Sequence, residues 1–175
     1  MAYATFNMTK GATTARKTML ALLNVGTSAA SPTLAPMGIS VEDSSIEYDW
    51  QEESTTDILG NTWNTAKAPK LTQTFDASAL RGGDEVQQKI WSVGVKDQDV
   101  SAMTNMDVVV AHLYEGDASG GFFAERYPAS MVKPSGLGGS GTVDMGYDVS
   151  YGGEREVGTV KQASGGSWTF TKASS

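Results

Sequence analysis

The chain has 175 residues, a net charge of −7, 20 glycines and no cysteine. That length can bury one core unaided, and the missing cysteines exclude a disulfide scaffold, a thiolate zinc site and a cysteine nucleophile. The charge disfavours a protein that grips nucleic acid, because such affinity comes from cations neutralising phosphates.

Abundant Gly, Thr and Ser with few helical patterns favour a mainly β fold. Residues 1–17 are small and polar without clear periodicity and read as an amino-terminal arm, mobile until it docks. Thr18 to Val25 reads as a strand. Arg16-Lys17 before Met19 to Leu23 has the outline of a secretory signal, but an apolar run of about five residues falls short of the ~7–15 a signal needs. Asn7-Met8-Thr9 then has no meaning as a glycosylation acceptor. No apolar run approaches the ~20 residues of a membrane span, so a soluble chain made in the cytoplasm is expected. Gly26 to Pro36, with its Ser, Thr and Pro, reads as a loop.

Residues 44–75 read as a long hairpin. Ser44 to Glu53 alternates like a strand: Ile46, Tyr48 and Trp50 point one way, Ser45, Glu47, Asp49, Gln51 and Glu53 the other. A loop at Asp57–Asn61 leads to a polar return arm. Each arm extended at ~3.3 Å per residue reaches on the order of 40 Å, long for a globular strand pair. The apolar face is expected in the core, and the hairpin is expected to find neighbours outside its own subunit. Charge is also unevenly placed: residues 1–41 hold Lys10, Arg16 and Lys17 but no acid, whereas Glu42 to Asp57 holds seven acids and no base. That asymmetry suits self-association, or else an exposed basic arm beside a solvated acidic strand.

Arg81-Gly82-Gly83 breaks the chain, and Asp84 can cap a helix over 84–93 with Val86, Ile90 and Val93 on one face and Gln87 and Gln88 toward solvent. Thr104 to Glu115, apolar on both faces, reads as a central strand. Phe122 to Lys133 follows as a strand in which Pro128 requires an edge or bulge, and Ser135 to Gly141 reads as a glycine-rich loop. Val143, Met145, Tyr147, Val149 and Tyr151 share the buried face of another strand. Gly152-Gly153 and Gly165-Gly166 suit turns of positive φ and bracket a strand at Val157 to Lys161, after which Trp168 and Phe170 close the sheet. The reading is a single domain over 18–171, with a carboxy-terminal tail at 172–175. Its architecture is a two-sheet β-sandwich or partial barrel with one flanking α-helix and a long hairpin.

No site chemistry emerges. His112 lies inside a strand, without a nucleophile elbow. Gly136, Gly138 and Gly141 spell G-x-G-x-x-G but precede a strand rather than a helix. Glu42, Asp43, Glu47 and Asp49 lack the glycines and ligand alternation of a calcium loop, and a solvated or lumen-lining face suits them better than a carboxylate pair in catalysis. No catalytic residue, metal site or cofactor is expected.

Three stretches together carry a family resemblance: Ser45-Ile46-Glu47-Tyr48-Asp49-Trp50 through Asp57, Ala124-Glu125-Arg126-Tyr127-Pro128-Ala129-Ser130, and Gly158-Thr159-Val160 through Thr171. With them the chain resembles the major tail (tail tube) proteins of long-tailed, non-contractile bacteriophages. The resemblance implies a structural protein forming hexameric rings stacked into a hollow tube, located in the virion tail and assembled in the host cytoplasm. It implies as partners further copies of the chain, a tape measure protein, a tail terminator and distal tail or baseplate proteins, with DNA only in transit and no membrane. Glu47, Asp49 and Glu53 are then expected to line a DNA-repelling lumen, and Lys10, Arg16, Lys17, Asp57, Asn61 and Lys67 to make contacts between rings. The inner tube of a contractile injection system is the alternative. A ligand-binding β-sandwich is a more distant one, supported only by Trp50, Trp63, Trp91 and Trp168, most of which are expected in the core.

Overall fold

A strand buried on both faces sets the architecture. In the computed structural model, which describes residues 5–174, Val108, Val109, Val110 and Ala111 are all essentially inaccessible. They belong to β7 (Met106–Asp117), one of eleven strands among the described residues. The others are β1 (Met19–Asn24), β2 (Leu34–Pro36), β3 (Ile46–Asp49), β4 (Glu53–Thr56), β5 (Thr62–Thr65), β6 (Lys70–Ala79), β8 (Gly121–Gly138), β9 (Asp144–Ser150), β10 (Glu156–Gln162) and β11 (Trp168–Lys172).

One face of β7 looks into a closed barrel of six strands, in the order β10-β11-β2-β1-β7-β8, shut by the pairing of β8 with β10. Leu22, Leu34, Val109, Ala111, Ala124, Val160 and Trp168 fill its interior. The other face of β7, with Ala21 and Leu23 of β1, packs on a second layer built from the distal half of β8, then β9, β6 and β3. Met145, Tyr147 and Val149 of β9 and Phe75 of β6 supply that layer, and helix α1 (Glu85–Trp91) adds Val86 and Ile90. This is a mainly β, two-layer sandwich and barrel with a flanking helix, as expected.

Strand β8 joins the layers. Its first half pairs with β7 and β10, and its second half pairs with β9. The β7 register shifts between Val108↔Tyr127 and Met106↔Ser130, so Pro128 sits in a bulge where its missing N–H breaks no ladder bond.

Several expectations are corrected. Ser135 to Gly138 is strand, not loop, because it continues the ladder with β9 through Gly136↔Gly146, Leu137↔Met145 and Gly138↔Asp144. The loop expected at Gly26 to Pro36 ends in β2, short enough to carry no periodicity. Gln87 is buried, not solvated: its amide donates to Ser78 Oγ and the Ala79 carbonyl and accepts from Arg81 N–H, which ties the α1 start to β6. Asp84 caps that helix through Gln87 N–H, as expected. Instead of stopping near Gly94, the chain continues through a π-helical turn, Ser92–Lys96, and a short α2 (Val100–Met103). Of the tryptophans only Trp168 is in the core, while Trp50, Trp63 and Trp91 are exposed.

Candidate functional site: two open sheet edges and a protruding ribbon

The long hairpin is two ladders in series. Next to the body, β3 pairs with β6 from Ile46↔Gln73 to Asp49↔Lys70. Beyond it, β4 pairs with β5 as a separate two-stranded sheet. The break falls at Gln51, whose φ of 47° no regular strand allows. Lys67 N–H bonds the Trp50 carbonyl across it. Every residue of β4 and β5 is exposed.

That break corrects the expected apolar face. Ile46 packs beside Leu71, Val110 and Tyr127, but Tyr48 and Trp50, each 48% exposed, stack on each other at 6.4 Å outside the core. β3 is an edge strand and its far end overruns the layer that would cover it.

The expected lumen acids divide likewise. Glu47 and Asp49 share the outer face of β3, Glu47 beside Thr72 and Asp49 beside Lys70. Across this face of the second layer lie Asp76 and Asp148, the latter accepting from Thr74 Oγ1 at 3.0 Å. Glu53 lies on the ribbon instead, 3.9 Å from Lys67. An exposed pair at that distance contributes little.

The residues expected between rings are also dispersed. Asp57 and Asn61 hold each other across the ribbon's tip, the Asp57 carboxylate accepting from Leu59 N–H, Asn61 N–H and Asn61 Nδ2. Desolvation there pushes the Asp57 carboxyl up, but these bonds outweigh it and hold it below the usual carboxylate range. Arg16 turns inward, donating to the Ser44 carbonyl through Nε and Nη2 and to the Met19 carbonyl through Nη1. Lys10 and Lys17 are exposed. Part of the arm is docked on its own subunit: Phe6 bridges Glu115, and Asn7 Nδ2 donates to the Leu113 and Gly116 carbonyls.

Two open edges flank the second layer. β3 has β6 on one side and no strand on the other, and the distal half of β8 has β9 on one side only, among the described residues. The π-helical turn packs Gly94 against Pro134, and beyond it Ser135 to Gly138 is exposed. Unpaired rows of N–H and C=O groups are templates for another strand.

The polar clusters inside the body pair among themselves. His112 is buried, with Nδ1 2.5 Å from the Tyr114 hydroxyl and Nε2 3.1 Å from Glu125, so both ring nitrogens are satisfied without a serine or threonine. Arg155 pairs with the same carboxylate. At one end of the barrel Arg126 grips Asp107 through Nε and Nη2, both at 2.8 Å, and reaches Glu156. No group of three His, Asp or Glu among the described residues could hold a metal.

No protein-family model matches the sequence, and no curated protein is similar to it. Among solved structures, one similar chain is the sheath/tube terminator of the PVC extracellular contractile injection system, at 8% identity and TM-score 0.49, covering 85% of this chain and 99% of that one. Another is the tube-terminating cap of the anti-feeding prophage, at 9% identity and TM-score 0.49, covering 87% and 95%. A chain of the PVC sheath–tube complex is similar at 10% identity and TM-score 0.45, covering 81% and 88%.

The sequence carried one signal that periodicity does not register. Ile58 and Leu59 occupy a turn, where polar residues are the rule, and both are fully or largely exposed. The open edges have no signature, because a strand reads alike whether its neighbour belongs to its own chain or to another.

Proposed function

We propose that the protein is a structural, non-enzymatic subunit of the tube of a phage-tail-like particle. Copies join edge to edge into hexameric rings, and the rings stack through the ribbons into a hollow conduit. The observation that carries this reading is the second layer itself. It is a sheet of four strands, β8-β9-β6-β3, that ends in an unpaired strand on each side, beside a ribbon that packs on nothing. Joining β3 of one copy to β8 of the next satisfies both edges and extends the sheet around a ring. The barrel cannot serve as a ligand pocket, because seven side chains fill it.

The outer face of the joined sheet lines the lumen in this arrangement, and Glu47, Asp49, Asp76 and Asp148 outnumber Lys70 and Lys133 on it. Duplex DNA carries one negative charge per ~1.7 Å of axis, so such a wall repels it and lets it slide. The ring, capped by a terminator and threaded by a tape measure protein, works equally in a non-contractile tail and in the inner tube of a contractile system.

Negative-stain microscopy of concentrated protein tests the reading: hollow tubes or rings are expected, and a monomer at every concentration overturns it. Co-assembly with a sheath protein assigns the tube to a contractile particle. Glu47→Lys with Asp49→Lys should leave tube assembly intact and slow DNA release from particles carrying the variant. Unchanged release kinetics would remove these acids from the lumen.

A further inference from the structure

The ribbon ends in the most exposed aliphatic pair among the described residues. Ile58 is fully exposed and Leu59 is 82% exposed, in a turn whose backbone is locked by Asp57 and Asn61. A rigid turn presenting two bare aliphatic side chains loses little conformational freedom on docking. The acids Glu52, Glu53 and Asp57 precede it in sequence.

At the root of the same hairpin lies a groove of ≈ 280 Å³ lined by Met19, Met37, Val41 and Phe75, with Arg16 and Lys17 beside them against a single acid, Glu42. A cavity of about 150 Å³ can admit a benzene-sized group, so this one has room for two four-carbon side chains. Its residual charge is opposite to that of the ribbon tip.

We propose that this groove is the receptor for the Ile58–Leu59 tip of a second copy of the chain. Ile58 and Leu59 enter between the methionines and Phe75, while the acids of the ribbon meet Lys17 and Arg16. A chain cannot fill its own groove, because tip and groove sit at opposite ends of one hairpin whose extended reach is on the order of 40 Å. Tip and receptor are different patches, so the contact is heterologous and repeats head to tail, generating an open stack rather than a closed dimer. The proposal rests on the tube reading and names the axial contact within it.

Two measurements test it. The native chain has no cysteine, so Leu59→Cys combined with Val41→Cys gives one thiol at each end of the contact. Mild oxidation should produce a ladder of linked oligomers, whereas either single variant stops at dimers. Absence of the ladder, or a ladder with Leu59→Cys plus Trp91→Cys in its place, overturns the groove as receptor. In the second measurement, Ile58→Asp with Leu59→Asp should melt at the wild-type temperature, since these side chains contribute nothing to the monomer core. Its self-association in sedimentation velocity should weaken at least tenfold, because burying each aliphatic side chain is worth a factor of roughly ten to a hundred. A variant that stacks as the wild type does overturns this contact and leaves the tube reading standing. A wild-type protein that never associates overturns both.

Discussion

Glu125 is a buried carboxylate of the barrel wall. Burial pushes its carboxyl up, but hydrogen bonds from His112 and Arg155, with the charge of Arg155, outweigh that and hold it below the usual carboxylate range. A carboxyl depressed in the folded state binds its proton more weakly there than in the unfolded chain. Its contribution is therefore complete above the unfolded value of about 4.3 and is lost as pH falls through the lower folded value. Glu125→Gln should cost about 1–3 kcal/mol at neutral pH, as for the loss of a buried charge-assisted bond. Denaturant unfolding of both proteins at a series of pH values between ~5 and ~3 should show that gap shrinking as the pH falls. A gap that stays constant to pH ~3 would mean that the Glu125 carboxyl is not depressed. The strand position of His112 suits a packed or edge histidine, and the side chain is buried. Glu125 and Arg155 carried no comparable signal, because Glu125 of β8 is met by a residue just before β10, thirty residues away in sequence.

At the scale of elements, ribbon and core differ in what holds them. A two-stranded ribbon without a covering face is marginally stable in water, and β4 and β5 have only each other. β7 is flanked by β1 and β8 and buried on both faces. Hydrogen exchange of the monomer should therefore find the amides of Glu53–Thr56 and Thr62–Thr65 opening at little cost, while those of Val108 to Ala111 open only with global unfolding. Assembly should slow the ribbon amides. A ribbon as protected in the monomer as β7 would contradict its independence of the body. The same contrast explains what was legible in sequence. β1, β7, β9, β10, β11 and the Asp84-capped helix were all readable, because their alternation or spacing answers to burial within this chain. Tyr48 and Trp50 follow the same alternation yet lie outside the core. A pattern states that a side chain suits a covered position and is silent on which molecule supplies the cover. Ser135 to Gly138 was missed for the opposite reason, since Gly136 and Gly138 have no side chains to show an alternation, although both pair with β9.

For the whole molecule, the proposed lateral and axial contacts use different parts, the sheet edges for one and the ribbon tip for the other, so each should fail alone. The proposed lateral contact would use the outward-facing amides of β3. In an antiparallel edge strand successive residues turn their N–H groups alternately toward the partner and toward solvent. Of Glu47 and Tyr48, therefore, one bonds β6 and the other faces outward. Proline at the inward position removes a ladder bond and should lower the melting temperature, whereas proline at the outward position spares the fold and presents an edge that accepts no further strand. Glu47→Pro and Tyr48→Pro thus form an internal control. The variant that melts as the wild type does should remain monomeric by light scattering at concentrations where the wild type forms rings. The tip variant with Ile58 and Leu59 replaced by Asp should instead form rings that do not stack. If the fold-neutral proline variant still closes into rings, β3 is not the lateral edge, and the joining of β3 to β8 must be abandoned in favour of a contact that leaves both edges to solvent.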